Sequence, residues 1–292
     1  MDTVSQRPDI PRESKFSWLH QLLHNPLGCV GLLLVILIIL SAVGADLIAP
    51  YDYKALDVKA RFSGPTSAHW FGTDNLGRDT FSRTLYGGQV ALAVALIAVG
   101  LSLFIGVVLG MLAGLVPKFV DNLFLLIFDS VRAFPTIMFA LAVITVLGPS
   151  VYTVIGVVVI TTVPSYARIA RTQTLALKNT EFILAEKSLG AGTIRVMFSH
   201  IVPNVIAPLL ILASMDIPVV ITIEAGLSFL GLGVKPPTPS WGSILSDGYS
   251  FIRDTPWMVV AGGIPLILTT LGFTFLGEAL RDIFDPKLKK EI

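Results

Sequence analysis

Residues 90–116 read VALAVALIAVGLSLFIGVVLGMLAGLV, 27 consecutive positions without one charged side chain. At the rise of an α-helix this run reaches about 40 Å, more than the ~30 Å hydrocarbon core of a bilayer. Hydrocarbon offers nothing to a backbone N–H or C=O, so a run this long and apolar reads as a helix that crosses the membrane. Four further runs, 27–45, 123–147, 205–223 and 258–276, are long enough to do the same. A sixth, 151–163, is short alone but continues through Pro164 and Tyr166 into a helix-compatible stretch with a polar cytoplasmic extension. The expected fold class is all-α and integral to the membrane, with about six transmembrane helices.

Composition agrees. Of 292 residues, 53% are hydrophobic and 14% charged, against roughly 25% charged in soluble domains. A net charge of +1 gives no basic footprint, so no nucleic-acid partner is expected, and lipid is the expected surroundings. The single cysteine, Cys29, excludes an intramolecular disulfide framework. His20, His24, His69 and His200 are scattered, without carboxylate or cysteine at ligand spacing, so no metal site is expected.

Lysine and arginine placement orients the chain. With the N-terminus inside, thirteen fall in cytoplasmic segments, seven in external ones and Arg132 inside a span, which accounts for all 21. Both termini are therefore expected in the cytoplasm. Trp18, Trp70, Trp241 and Trp257 lie outside the apolar runs, as residues of an interfacial belt do. The chain divides into a tail, 1–26, whose Phe16, Leu19 and Leu23 predict a helix on the membrane surface; a first span, 27–49; an external loop, 50–86; a core of five helices, 87–280, with a cytoplasmic loop at 178–200; and a second tail, 281–292. The long polar start makes the first run a retained anchor rather than a cleaved signal.

No G-x-x-x-x-G-K-[ST] phosphate loop and no H-E-x-x-H occur, so the chain is expected to have no catalytic residues and no cofactor of its own. The cytoplasmic loop is more informative. Phe182, Ala185 and Leu189 follow helical spacing, Gly190 is a good C′ residue, and Thr193 is placed to cap the next helix. A short amphipathic helix between glycine breaks is suited to docking in another protein's groove, although an ordinary interhelix loop would look similar. Charges within spans, Asp129, Arg132, Asp216 and Glu224, are costly there, about 2.5–3.5 kcal/mol at the bilayer centre. With Pro135 they are candidates for a translocation path; the plainer expectation is that Asp129 and Arg132, three apart, form a local ion pair. Pro164, Pro203, Pro208, Pro218 and Pro265 also lie in or beside spans, where proline kinks a helix. Gly106, Gly110 and Gly114 make a strip for close helix packing, within the subunit or against a partner.

Residues 184–190, LAEKSLG, followed by 200–203, HIVP, resemble the EAA loop of ABC importer permeases. Leu184 stands where that family usually has glutamate, and Glu186 where it has alanine. In the family this loop is a coupling helix seated in a cleft of a cytoplasmic ATPase. The resemblance thus implies coupling roles for Phe182, Ala185, Glu186, Leu189, Gly190, Ala191 and Arg195. Residues 69–79, HWFGTDNLGRD, leading to Ser82 and Arg83, resemble an external signature of the dipeptide, oligopeptide and nickel permease group. So do 224–233, EAGLSFLGLG, with Pro236, Pro237 and 239–242, PSWG, and the terminal 280–286, LRDIFDP. Together they cover residues 69 to 288 and resemble the C-type partner of a heterodimeric pair. The resemblance implies a type I importer in the bacterial inner membrane. Its other parts would be a second homologous permease, two ATPase subunits or domains carrying ATP and Mg, and an external substrate-binding protein. Di- or oligopeptides, nickel chelates, glutathione or opines are the cargo it implies. A self-sufficient secondary transporter or channel would also have six spans and buried charges, but would not need the cytoplasmic docking helix.

Overall fold

The computed structural model describes residues 17–284. Phe16, the basic residues before it and the stretch beyond Phe284 lie outside the described residues. Twelve α-helices are formed in chain order: α1 (Ser17–His24), α2 (Pro26–Val43), α3 (Ala45–Ile48), α4 (Thr80–Leu115), α5 (Lys118–Arg132), α6 (Thr136–Leu147), α7 (Val151–Leu177), α8 (Glu181–Ser188), α9 (Thr193–Val196), α10 (Val202–Phe229), α11 (Trp241–Ser250) and α12 (Trp257–Phe284). Met197–Ile201, a π-helical turn, joins α9 to α10. Among the described residues five helices are long and apolar enough to cross a membrane, and α5 with α6 makes a sixth, broken candidate.

α4 starts ten residues before its apolar run. Asp79 caps it, accepting 2.7 Å from the Ser82 backbone N–H, so the helical pattern begins while the chain is still polar. Residues 80–86, read from the sequence as part of a loop, are therefore helical. α4 packs on α7 in the most extensive helix pairing among the described residues, and Gly106, Gly110 and Gly114 all lie along that seam. A Cβ on Gly106 would stand 3.1 Å from Ala167 N, one on Gly110 2.7 Å from Ala170 Cβ, and one on Gly114 2.9 Å from Thr174 Cβ. The strip therefore serves packing inside the subunit.

The third apolar run is not one straight span. α5 and α6 are bent by 85° at residues 133–135. Pro135 removes a donor and bars Phe134 from helical geometry. Pro164, Pro218 and Pro265, by contrast, sit inside continuous helices. At Pro265 a compensation is visible: Ala261 O, whose normal donor proline removes, lies 3.1 Å from Thr84 Oγ1 of α4 and shares that hydroxyl proton with Thr80 O at 2.8 Å.

Candidate functional site

Three groups of residues stand out, at different levels of the bundle. The first is the loop after α7. Gly190 has φ +91°, the left-handed geometry that ends a helix at C′. Its N–H donates 2.9 Å to Lys187 O, and Ala191 N–H 3.1 Å to Glu186 O. Gly192, not Thr193, occupies the N-cap of α9; extended backbone there leaves Thr193 as the first helical residue. α8 touches the bundle through Ile183, which is fully buried, whereas Phe182, Leu184, Leu189 and Ile194 are exposed. Glu186 ties the loop together, meeting His200 Nε2 at 2.6 Å and Arg195 Nε at 3.8 Å, while the Phe182 ring lies edge-on to the His200 ring. A cavity of about 230 Å³ opens among Glu186, Leu189, Gly190, Ala191 and Arg195. Thus all seven residues assigned to coupling share one projecting segment. His200 was not expected to hold it, and its place on the far side of a glycine joint gave no spacing signal.

The second group comprises the charges within spans, which the structure does not gather into one place. Asp129 pairs with Arg168 of α7, not with Arg132. Asp121 likewise pairs with both nitrogens of an Arg171 fork. The two bridges run antiparallel between α5 and α7, so a cation on the facing helix replaces the local partner. Arg132, at the end of α5, has no ion-pair partner among the described residues. It lines a polar cavity of about 340 Å³ with Pro135, Thr136, Thr161 and Ser165. Asp216 on α10 is instead half-buried and accepts 2.7 Å from the Tyr166 hydroxyl. Glu224 is fully buried, with one oxygen 2.6 Å from Ser228 Oγ. Tyr166, Arg168, Arg171 and Asp121 were missed. The three-residue spacing of the two arginines was the available signal.

The third group surrounds the N-terminal end of α4. Asp74 accepts from Arg78 Nε at 2.6 Å and lies 3.5 Å from Arg83 Nε. Asp79 meets His69 Nδ1 at 2.9 Å. Gly77 has φ +77°, and any Cβ there would strike Asp57 O, so the turn requires glycine. Arg83 donates to Tyr53 O at 3.3 Å and Pro237 O at 3.5 Å. Trp241 Nε1 donates to Thr84 O at 2.9 Å. The two sequence signatures, joined by contacts that span 154 and 157 residues, therefore form a single cap over the end of α4. Burial pushes the Asp247 carboxyl in this cap above the usual range, opposed by Arg83 and Arg78.

Residues 106–290 match the family described as binding-protein-dependent transport system inner membrane component. Residues 17–65 match the N-terminal transmembrane domain of oligopeptide transport permease C. The dipeptide transport system permease protein of Alkalihalophilus pseudofirmus is 40% identical over 92% of this chain and 88% of its own. The oligopeptide transport system permease protein of Bacillus subtilis is 39% identical over 91% and 87%. The glutathione transport system permease protein of Pectobacterium atrosepticum is 39% identical over 88% and 86%. Among solved structures, an inward-facing MetNI methionine ABC transporter chain aligns with a TM-score of 0.53 at 17% identity, over 67% of this chain and 94% of that one. That likeness concerns the fold.

Proposed function

Because the chain belongs to the binding-protein-dependent transport system inner membrane components, a family of multi-pass ABC importer permeases, we propose that it forms half of the translocation path of an ATP-driven importer of di- or oligopeptides. A second homologous permease supplies the other half. An external binding protein delivers cargo to the cap built on residues 50–79 and 230–256. Two cytoplasmic ATPase subunits or domains carry ATP and Mg and engage α8, with both termini of this chain on their side of the membrane.

The observation that carries this reading is α8 itself. It is not among the helices long and apolar enough to cross a membrane, and together with its C-cap it presents Phe182, Leu184 and Leu189 outward. Exposed apolar side chains on a short helix, anchored through one buried residue, are what a partner's groove takes up. Closure of the ATPases on ATP then moves α8 as a body, and its junctions with α7 and α9 pass the movement to the spans. Such coupling requires that α8 make different contacts in the inward- and outward-facing states.

Gly190→Arg tests this. A Cβ at Gly190 meets nothing within 4 Å, so the substitution adds a cation to the docking face at the backbone cost of a positive φ, of order 1–3 kcal/mol. The complex is expected to reach the membrane and hydrolyse ATP without importing peptide. Gly190→Asn, which tolerates the backbone, is expected to retain most uptake. Full uptake by Gly190→Arg would refute the coupling role.

A further inference from the structure

The cavity at the α5–α6 break has a composition that neither helix packing nor lipid contact explains. Arg132 reaches it from the last residue of α5, Thr136 from the first of α6, and Thr161 and Ser165 from α7. The two arginines on α7, Arg168 and Arg171, are neutralised by Asp129 and Asp121. Among the described residues Arg132 has neither ion pair nor hydrogen bond, and the Thr136 and Ser165 hydroxyls have no partner either. Pro135, at the N-cap of α6, adds no side-chain hydrogen bond, which leaves the amide groups of the first turn facing outward from the break.

Ser165 lies about 21 Å along α7, a helix about 40 Å long, where the apolar run 151–163 gives way to the polar part of that helix. Arg132 is exposed and Thr136 and Ser165 are half-buried, so the cavity is open to a ligand. Helix breaks in transporters persist where they border water or protein, and an arginine without a counter-ion at such a break is a place for something anionic.

We propose that this cavity is a binding site for the C-terminal carboxylate of the peptide in transit, with Arg132 as its cation and the Thr136 and Ser165 hydroxyls as donors beside it. The guanidinium fork matches a carboxylate with two parallel hydrogen bonds. An importer that accepts many side chains must grip what every peptide shares, and the terminal carboxylate is one of two such groups. This inference rests on the peptide-import reading above.

The test uses the whole complex in nanodiscs or proteoliposomes with its binding protein. ATP-driven uptake is compared for a labelled neutral peptide with a free C-terminal carboxylate and for its C-terminal amide. The binding protein is the same throughout, so its own preference cancels between wild type and variant. The acid-to-amide uptake ratio is expected to fall about tenfold in Arg132→Gln, the worth of a charge-assisted hydrogen bond. Arg132→Lys keeps the cation and is expected to keep a ratio several-fold above one, which also covers failure of the neutral variant to assemble. An amidated peptide bearing a glutamate side chain is expected to move like the neutral amide. An unchanged ratio in Arg132→Gln overturns the site, as does a Lys variant without preference, an equal loss of acid and amide uptake, or glutamyl amide uptake matching the free acid. Wild type that imports no peptide of either kind overturns the peptide-import reading, and this inference with it.

Discussion

Gly110→Ala probes the seam on which the bundle is built. One methyl at this position would stand 2.7 Å from Ala170 Cβ and closer still to the Ala167 carbonyl oxygen, against the 3.4 Å at which ordinary contact begins. A backbone carbonyl cannot swing aside as a long side chain can, so α4 and α7 must part locally by about 1 Å, and a gap of that size forfeits a quarter to a half of each affected dispersion contact. Overpacking a well-filled core costs about 1–3 kcal/mol. The rigidity of the obstacle puts Gly110→Ala near ~3 kcal/mol, or roughly 5–10 °C in the unfolding midpoint. Gly100→Ala is the control: it lies on the same helix, and a Cβ there meets nothing within 4 Å. It is expected to leave the midpoint unchanged or raise it slightly, since alanine favours the helix by about 1 kcal/mol over glycine. Thermal unfolding of the detergent-solubilised protein, followed by tryptophan fluorescence, measures both. If the two variants melt together with wild type, the close approach of α4 and α7 is wrong.

Two further outcomes follow from the charges. Asp247 is held above its unfolded pKa by burial, against the pull of Arg83 and Arg78. The folded protein therefore binds its proton more tightly, and stability is lost as pH rises from the unfolded value near 3.8 through the raised folded one. Asp247→Asn should remove that loss and be the more stable form at neutral pH; identical pH–stability curves for the two proteins would show that Asp247 does not titrate in this way. Asp121 and Arg171 form a largely buried pair, so Asp121→Asn and Arg171→Gln should each cost about 1–3 kcal/mol. The double variant should lose less than the two single losses together, by ~0.5–3 kcal/mol; additive losses in the unfolding assay would mean that the pair does not bind α5 to α7.

The membrane class was legible because burial in lipid needs only long runs without charge, and these can be counted. Helix ends were less so. α4 begins at Thr80 although residues 80–89 include Arg83, Thr84 and Gln89, and polar residues at the start of a span read as loop. What makes them helical is the Asp79 cap, a local contact, together with the Tyr53 and Pro237 carbonyls and the Asp74 carboxylate around Arg83, of which the contact to Pro237 is far along the chain. Prolines were ambiguous for the same reason. Pro135 and Pro265 look alike in sequence, but Thr84, 177 residues from Ala261, rescues the freed carbonyl at Pro265 and the helix continues there. The Asp129–Arg132 pair was a sound local expectation that lost to Arg168, a partner 39 residues away. The loop at 178–200 was legible down to the Gly190 C′ position because glycine at a helix end has a backbone reason. What Glu186 would hold was not, since Arg195 and His200 reach it only after the chain has folded back across the glycine joint.

Co-purification followed by reconstitution addresses import most directly. The chain would be isolated in mild detergent from cells expressing its native neighbours, its companions identified, and peptide uptake measured in liposomes with and without ATP and the external binding protein. A chain that works as proposed should come with a second permease and ATPase subunits, lose the ATPases when residues 182–192 are disrupted, and import peptide only with ATP and binding protein present. A lone or homomeric protein that transports without ATP would contradict the proposal and make this chain a self-sufficient transporter.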